Sequence, residues 1–185
     1  MSSDPLVEPP AARTRHHGEF DAAELAAEKR QQGLQISVVI PARNEVATVG
    51  AIVQALRSTL FEKIGLLDEI LVVDAGSDDG TAGEATAAGA RVVRQSEVLT
   101  SAGDGSGKGE ALWKGLAASE GDLVVFLDAD IHGFDPRFAV GLLGPLLGEP
   151  GTRFTKATYD RPLRVGETLQ PHGGGRVTEL LARPV

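Results

Sequence analysis

The chain contains no cysteine. Disulfides, thiolate metal sites and cysteine nucleophiles are excluded, and the absence fits a reducing cytoplasm. Long apolar runs are missing too. No uninterrupted stretch approaches the roughly 20 residues of a membrane-spanning helix. The opening residues, Met1 to His17, are rich in Pro, Ala and Arg and hold no apolar run, so no secretory leader is expected. Positive charge is scarce: 18 Lys and Arg stand against 26 Asp and Glu, a net charge of −8. That balance argues against general nucleic-acid binding. The four histidines show no metal-ligand spacing. His16 and His17 read as solvated tail residues; His132, two residues past Asp130, and His172 read as ordinary loop residues, with a site role as the second reading. The expectation is a soluble cytoplasmic protein.

What is present suffices for a core. Of 185 residues, 42% are hydrophobic, enough for one compact domain plus a tail. Charge is unevenly placed. Residues 151–185 hold six basic residues (Arg153, Lys156, Arg161, Arg164, Arg176, Arg183) and three acidic ones (Asp160, Glu167, Glu179), a net +3 that leaves −11 on residues 1–150. Such a segment suits a local anionic ligand, although chance over a short stretch gives the same bias.

Residues 1–18 read as a flexible tail. A helix is expected from Asp21 to Gln32, with Asp21 as cap and Glu24 three residues on. Ile36 to Ile40 is a β-branched run stopped by Pro41, a buried strand. Val49, Ile52, Val53, Leu56 and Leu60 follow helical spacing. Further strands are expected at Glu69–Asp74, Arg91–Arg94, Asp122–Leu127 and Arg153–Tyr159. Helices are expected from Gly80 to about Ala88, after the Gly/Ser loop 101–109, and from Phe138 to Leu147. The lone Trp113 falls in a helix, where core packing is its default. Strands alternating with helices imply a Rossmann-like, mostly parallel sheet with helices on both faces. Ligands of such sheets bind beyond the carboxyl ends of the strands.

The residues just past the strands are therefore the candidates, and each has two readings. Asp128-Ala-Asp130 suits a hard divalent cation, Mg²⁺ or Mn²⁺, bridging a diphosphate, with the other aspartate on sugar or ribose hydroxyls. Alternatively the pair merely ends a strand. In Pro41-Ala-Arg-Asn-Glu45, Glu45 can hydrogen-bond a base or ribose, or Asn44 and Glu45 can simply complement a helix start. In Asp74-Ala-Gly-Ser-Asp-Asp-Gly-Thr81, Asp74 can accept from a uracil or ribose edge and Ser77 can touch the base. Ser77, Asp78 or Asp79 can equally cap the next helix. Gly105-Ser-Gly-Lys-Gly109 opens a helix where backbone and Lys108 can meet a phosphate, or it is a surface loop. It lacks P-loop spacing. Gly173-Gly-Gly-Arg-Val-Thr-Glu179 can clamp a phosphate or carboxylate through Arg176 and Thr178, or link to a terminal helix.

Taken together, these segments resemble the GT-A glycosyltransferases in order and spacing across residues 36–130. The chain further resembles the actinobacterial glucosyl-3-phosphoglycerate synthase family. The segments that carry this are Phe20-Asp-Ala-Ala-Glu-Leu, Ser106-Gly-Lys-Gly-Glu-Ala-Leu-Trp113, Arg161-Pro-Leu163 and, most tellingly, Gly174-Gly-Arg-Val-Thr-Glu-Leu-Leu-Ala-Arg-Pro184. The resemblance implies transfer of glucose from UDP-glucose to 3-phosphoglycerate, with retention and with Mg²⁺ or Mn²⁺, toward glucosylglycerate and methylglucose lipopolysaccharides. It places uridine on Pro41, Ala42, Glu45 and Ser77. Asp74 and Ala129 join the donor contacts. Lys108 stands by the diphosphate and sugar, Asp128 by ribose or sugar, and Asp130 ligates the metal. Lys108 and Asp128 are the catalytic candidates. Gly175, Arg176 and Thr178 bind the acceptor. A front-face route with a donor phosphate oxygen as base is implied, as is a homodimer.

The domain reading is a tail at 1–18, a nucleotide-sugar-binding domain at 19–160 and the start of an acceptor-binding region at 161–185. Members of that family continue well past the equivalent of Val185, so a truncated acceptor side is expected here, with a histidine metal ligand beyond it. Competing readings are a glycosyltransferase with GDP-mannose or a lipid-phosphate acceptor, a sugar-phosphate nucleotidyltransferase, and a non-catalytic nucleotide-binding fragment. A nucleotidyltransferase would carry a glycine- and arginine-rich loop where Pro41-Ala-Arg-Asn-Glu45 stands.

Overall fold

The computed structural model describes residues 13–103, 105, 107–157, 163–165 and 168–170. Four parallel strands organise the first of its two units, which runs to Thr155. The central pair, β1 (Ile36–Ala42) and β2 (Glu69–Asp74), is buried along nearly its whole length. Near-continuous Val, Ile and Leu suit strands covered on both faces. β3 (Arg91–Arg94) and β4 (Leu123–Phe126) are the shorter, more exposed flanks, and the order is β3-β2-β1-β4.

The helices form where the sequence predicts. α1 (Ala22–Gln32) begins at Asp21, whose carboxylate accepts from the Ala23 and Glu24 N–H groups at 2.8 and 3.0 Å. α2 (Val49–Leu56) passes into one π-helical turn, Arg57–Phe61, so the run expected to Leu60 changes its winding at Arg57 yet still buries Leu60. α3 (Thr81–Ala87), α4 (Lys108–Ala118) and α5 (Arg137–Gly148) follow. No helix among the described residues is long and apolar enough to cross a membrane.

Side chains alternate across a strand, so β1 feeds two cores. Ile36, Val38 and Ile40 pack in one cluster with Ile52 and Leu56 of α2 and Leu143 of α5. Val39 joins Leu71 and Val73 of β2 against Ala111 of α4. Helices thus lie on both faces, but unevenly: among the described residues, α4 is the helix in the second cluster. It lies close because Gly115 has no side chain. A Cβ there would stand 2.5 Å from Val39 Cγ1 and 3.1 Å from Val73 Cγ2.

At the amino edge of the sheet, Glu69 ties the strands together. Its carboxylate accepts from the Ser37 hydroxyl (2.5 Å), the Glu120 N–H (3.0 Å) and the Arg91 guanidinium. Burial alone would raise this carboxyl, but these hydrogen bonds and the Arg91 charge outweigh it and hold it below the ordinary carboxylate range.

Four expectations need correction. Pro41 does not stop β1, which stays in register with β2 through Ala42. Trp113 is 45% exposed rather than in the core. The buried positions of α4 are Ala111, Lys114 and Gly115, and Trp113 falls on the outward side of that stripe. Residues 13–18, read as tail, are held: His17–Glu19 form a short 3-10 turn and Arg15 pairs with Glu149 at 2.6 Å. Residues 153–157 form no strand. The next strands are instead β5 (Leu163–Val165) and β6 (Thr168–Gln170), an antiparallel pair in the second unit, with Arg164 opposite Leu169.

Candidate functional site

The strand order reverses between β1 and β4, with β2 and β3 on one side of β1 and β4 on the other. In open parallel sheets, ligands bind at such a switch point, beyond the carboxyl ends of the strands. The loops after β1, β2 and β4 all emerge there, as expected.

The first two loops are latched together. The Asn44 N–H donates to Ser77 Oγ at 2.9 Å, and the Asp78 N–H returns a bond to Asn44 Oδ1 at 3.1 Å. The Glu45 N–H donates to Thr81 Oγ1 at 2.8 Å and the Val46 N–H to Asp79 Oδ2 at 3.1 Å. Asn44 adopts a left-handed backbone, φ 58°, which asparagine tolerates better than most residues. The Asp79 carboxyl is held low, first by the Thr81 hydroxyl and then, against slight burial, by the Thr81 and Val46 N–H groups. Glu45 and Ser77 therefore share one polar platform. Pro41 and Ala42 end β1, where Ala42 pairs with Asp74. Asp74 itself is buried and accepts from the Ser77 N–H at 3.2 Å, so its carboxylate braces the turn as well as facing the strand ends.

The third loop carries the acidic pair. Past the end of β4 the burial still alternates: Leu127 and Ala129 join Val125 in the main core, whereas Asp128 is half-buried and Asp130 exposed. The Asp128 carboxylate accepts from the ammonium of Lys108, the first residue of α4. This contact joins the glycine loop to the end of β4. Gly107, at φ 102°, provides the turn into α4 that a residue with a Cβ would resist. Behind the loop, buried Lys114 pairs with Glu110 at 3.3 Å, and the Gln95 amide donates to the Gly105 carbonyl at 3.2 Å.

Asp130 is exposed, and its carboxylate has no hydrogen-bond or ion-pair partner among the described residues. No three carboxylate or imidazole groups converge there among the described residues. One or two carboxylates completed by phosphate oxygens and water is the ordinary manner of holding Mg²⁺, and Mn²⁺ shares the preference for oxygen donors. The residues present fit such an ion. His132 lies exposed just past the pair. The acceptor candidates Gly175, Arg176 and Thr178, and His172, lie outside the described residues.

Two open grooves elsewhere include none of these candidates. One, about 620 Å³, runs between α2 and α3 past Gln54 and Glu84. The other, about 240 Å³, lies at the amino edge by Glu69 and Arg91. Neither lies at the carboxyl ends of the strands, where ligands of parallel sheets bind, so the switch point remains the candidate. The sequence reading gives Asn44 and Asp79 only capping roles. Their cross-loop bonds reach partners more than 30 residues away, which local motifs do not reveal.

A parallel sheet with this order, an acidic pair after β4 and a lysine at the facing helix start define the GT-A glycosyltransferase fold. The chain belongs to glycosyl transferase family 2, whose model matches residues 37–132 and so spans every donor-side candidate from Pro41 to Asp130. A glucosyl-3-phosphoglycerate synthase from Petrotoga mobilis is 45% identical over 174 residues, covering 94% of this chain and 54% of the relative. A crystal structure of mannosyl-3-phosphoglycerate synthase from Rubrobacter xylanophilus superposes with a TM-score of 0.82 at 47% identity, over 92% of this chain and 52% of that one. A glucosyl-3-phosphoglycerate synthase from Mycobacterium tuberculosis, solved with Mn²⁺, uridine-diphosphate-glucose and phosphoglyceric acid, superposes at 0.75 with 41% identity, over 93% and 54%. The chain spans about half the length of the curated relatives it matches.

Proposed function

We propose that these residues form the donor-binding part of a glucosyl-3-phosphoglycerate synthase, which moves glucose from UDP-glucose to 3-phosphoglycerate. The observation that carries the reading is the Lys108–Asp128 pair at the switch point, two residues from Asp130, whose carboxylate has no partner among the described residues. The relatives and the complex with UDP-glucose and phosphoglyceric acid support it.

In this reading the platform of Pro41, Ala42, Glu45 and Ser77 receives the uridine, with Asp74 bracing the turn. Asp128 and the Ala129 backbone face the ribose and sugar. Asp130 holds Mg²⁺ or Mn²⁺, which when bound would neutralise charge on the diphosphate. Lys108 is placed to offset the charge that builds on the departing UDP as the anomeric C–O bond breaks, an electrostatic stabilisation of the transition state. Gly175, Arg176 and Thr178 orient the phosphoglycerate so that its hydroxyl meets the anomeric carbon. Its proton passes to a donor phosphate oxygen on the same face, so configuration is retained. The domain division at residues 18 and 160 belongs to this reading. So does a cytoplasmic site, which the lack of cysteine supports. A homodimer is also part of it, supported by the exposed Trp113, Leu116 and Phe126.

The mannosyl-3-phosphoglycerate synthase from Rubrobacter xylanophilus supports a second reading, a mannosyl donor, for which GDP-mannose is the candidate raised by the sequence. Calorimetric titration separates the two. UDP with Mn²⁺ is expected to bind at least about tenfold more tightly than GDP, about 1.4 kcal/mol, and to lose most of that affinity when EDTA removes the metal. Tighter binding of GDP would replace the glucosyl reading with the mannosyl one, and binding of neither would refute both.

A further inference from the structure

Beyond Leu127 the sheet no longer holds the chain. The last ladder bond on this side runs from the Leu127 N–H to the Val39 carbonyl at 3.1 Å. Yet Asp128 and Asp130 lie further on. Two constraints act on the segment between them. The Ala129 methyl is buried in the main core, 4% exposed. The Ala129 carbonyl accepts a 2.6 Å hydrogen bond from the hydroxyl of Thr48.

Thr48 stands immediately before α2, at the position where threonine ordinarily accepts from its own helix. Here it makes no such capping bond. A hydroxyl has one proton to give. The alternative acceptor, the Glu45 carbonyl at 3.4 Å, is distant, so the proton goes to Ala129. The side chain is 6% exposed, so water does not compete freely for either partner. The oxygen accepts no bond from its own helix, and the proton goes to a residue 81 positions along the chain.

We propose that Thr48 is a positioning residue for the acidic pair. By fixing the carbonyl between Asp128 and Asp130, it sets the direction in which both carboxylates leave the backbone. Because Thr48 follows Glu45 in the loop latched to Asp79 and Thr81, the same bond ties the nucleoside platform to the metal-binding end. The proposal rests on the donor-site reading above.

The test compares wild type with Thr48→Val, which keeps the shape and removes the hydroxyl, and with Thr48→Ser, which restores it. UDP affinity is measured with and without Mn²⁺. Amide hydrogen exchange is followed at residues 128–130. Thr48→Val is expected to lose about tenfold of the Mn²⁺-dependent gain in UDP affinity, equivalent to about 1.4 kcal/mol, with metal-free UDP binding unchanged. Exchange at residues 128–130 should quicken by a similar factor, and Thr48→Ser should stay within about threefold of wild type. Should Thr48→Val fail to fold, Thr48→Ala carries the same comparison. A lowered melting temperature with an unaltered Mn²⁺ gain and unaltered exchange would overturn the positioning role alone. A wild-type chain that binds no UDP in either condition would overturn the donor-site reading and this proposal with it.

Discussion

Asp130→Ala is expected to lower UDP affinity in the presence of Mn²⁺ by about 100-fold, or about 2.7 kcal/mol. Without metal, mutant and wild type should bind UDP alike. The size follows from the setting. Among the described residues no further carboxylate or imidazole group joins the pair as a third ligand. Asp128 is engaged by Lys108, which in the proposed site leaves Asp130 as the carboxylate for the ion. A metal carried by one or two protein ligands and the substrate's phosphates loses much of its anchorage when one is removed. Folding should be unaffected. Asp130 is exposed and unpartnered among the described residues, and surface changes of that kind stay within about 0.5 kcal/mol. Equal Mn²⁺-dependent affinity in the two proteins would show that Asp130 is not a metal ligand.

Gly115→Val should act on the fold instead. The absent side chain lets α4 lie on Val39 and Val73, and a Cβ at 2.5 Å from Val39 Cγ1 is closer than atoms tolerate. Both neighbours are fully buried in the centre of the sheet and have nowhere to move. Overpacking of this kind costs about 1–3 kcal/mol, and valine adds two methyl groups beyond the first clash. A loss of about 3 kcal/mol is expected, which for a domain of this size lowers the melting temperature by roughly 6–12 °C. Because α4 begins at Lys108, any outward shift of the helix also moves the ammonium away from Asp128. UDP affinity should therefore fall along with stability. A variant as stable as wild type would mean that α4 lies further from the sheet.

Much of this was legible in the sequence, for identifiable reasons. β1 and β2 announce themselves as apolar runs because both of their faces are covered. Asp21 signals the start of α1 because capping is a local event. The candidates at the strand ends could be named because parallel sheets put their loops on one edge. Other features are not written locally. The switch point depends on which strand neighbours β1, and nothing in Leu123–Phe126 states that β4 lies opposite β2. The bond from Thr48 to Ala129 and the latch between Asn44 and Ser77 join residues far apart in the chain. Trp113 misleads because an apolar residue on a helix faces inward only if its angle matches the buried stripe. The expected strand at 153–159 fails over residues 153–157, although Phe154 suits a strand by type. It is 81% exposed, with no core face to occupy.

The central claim is that nucleoside diphosphate and metal meet at the carboxyl edge, between the loops after β1, β2 and β4. The most direct measurement is an amide NMR map of the protein with UDP and Mn²⁺, in which the paramagnetic ion broadens the signals nearest to it. The account predicts that Asp128, Ala129, Asp130 and Lys108 broaden first, that Ser77 and Glu45 shift on adding UDP, and that Asp130→Ala removes the broadening. Broadening centred instead on Gln54 and Glu84, in the groove between α2 and α3, would contradict it.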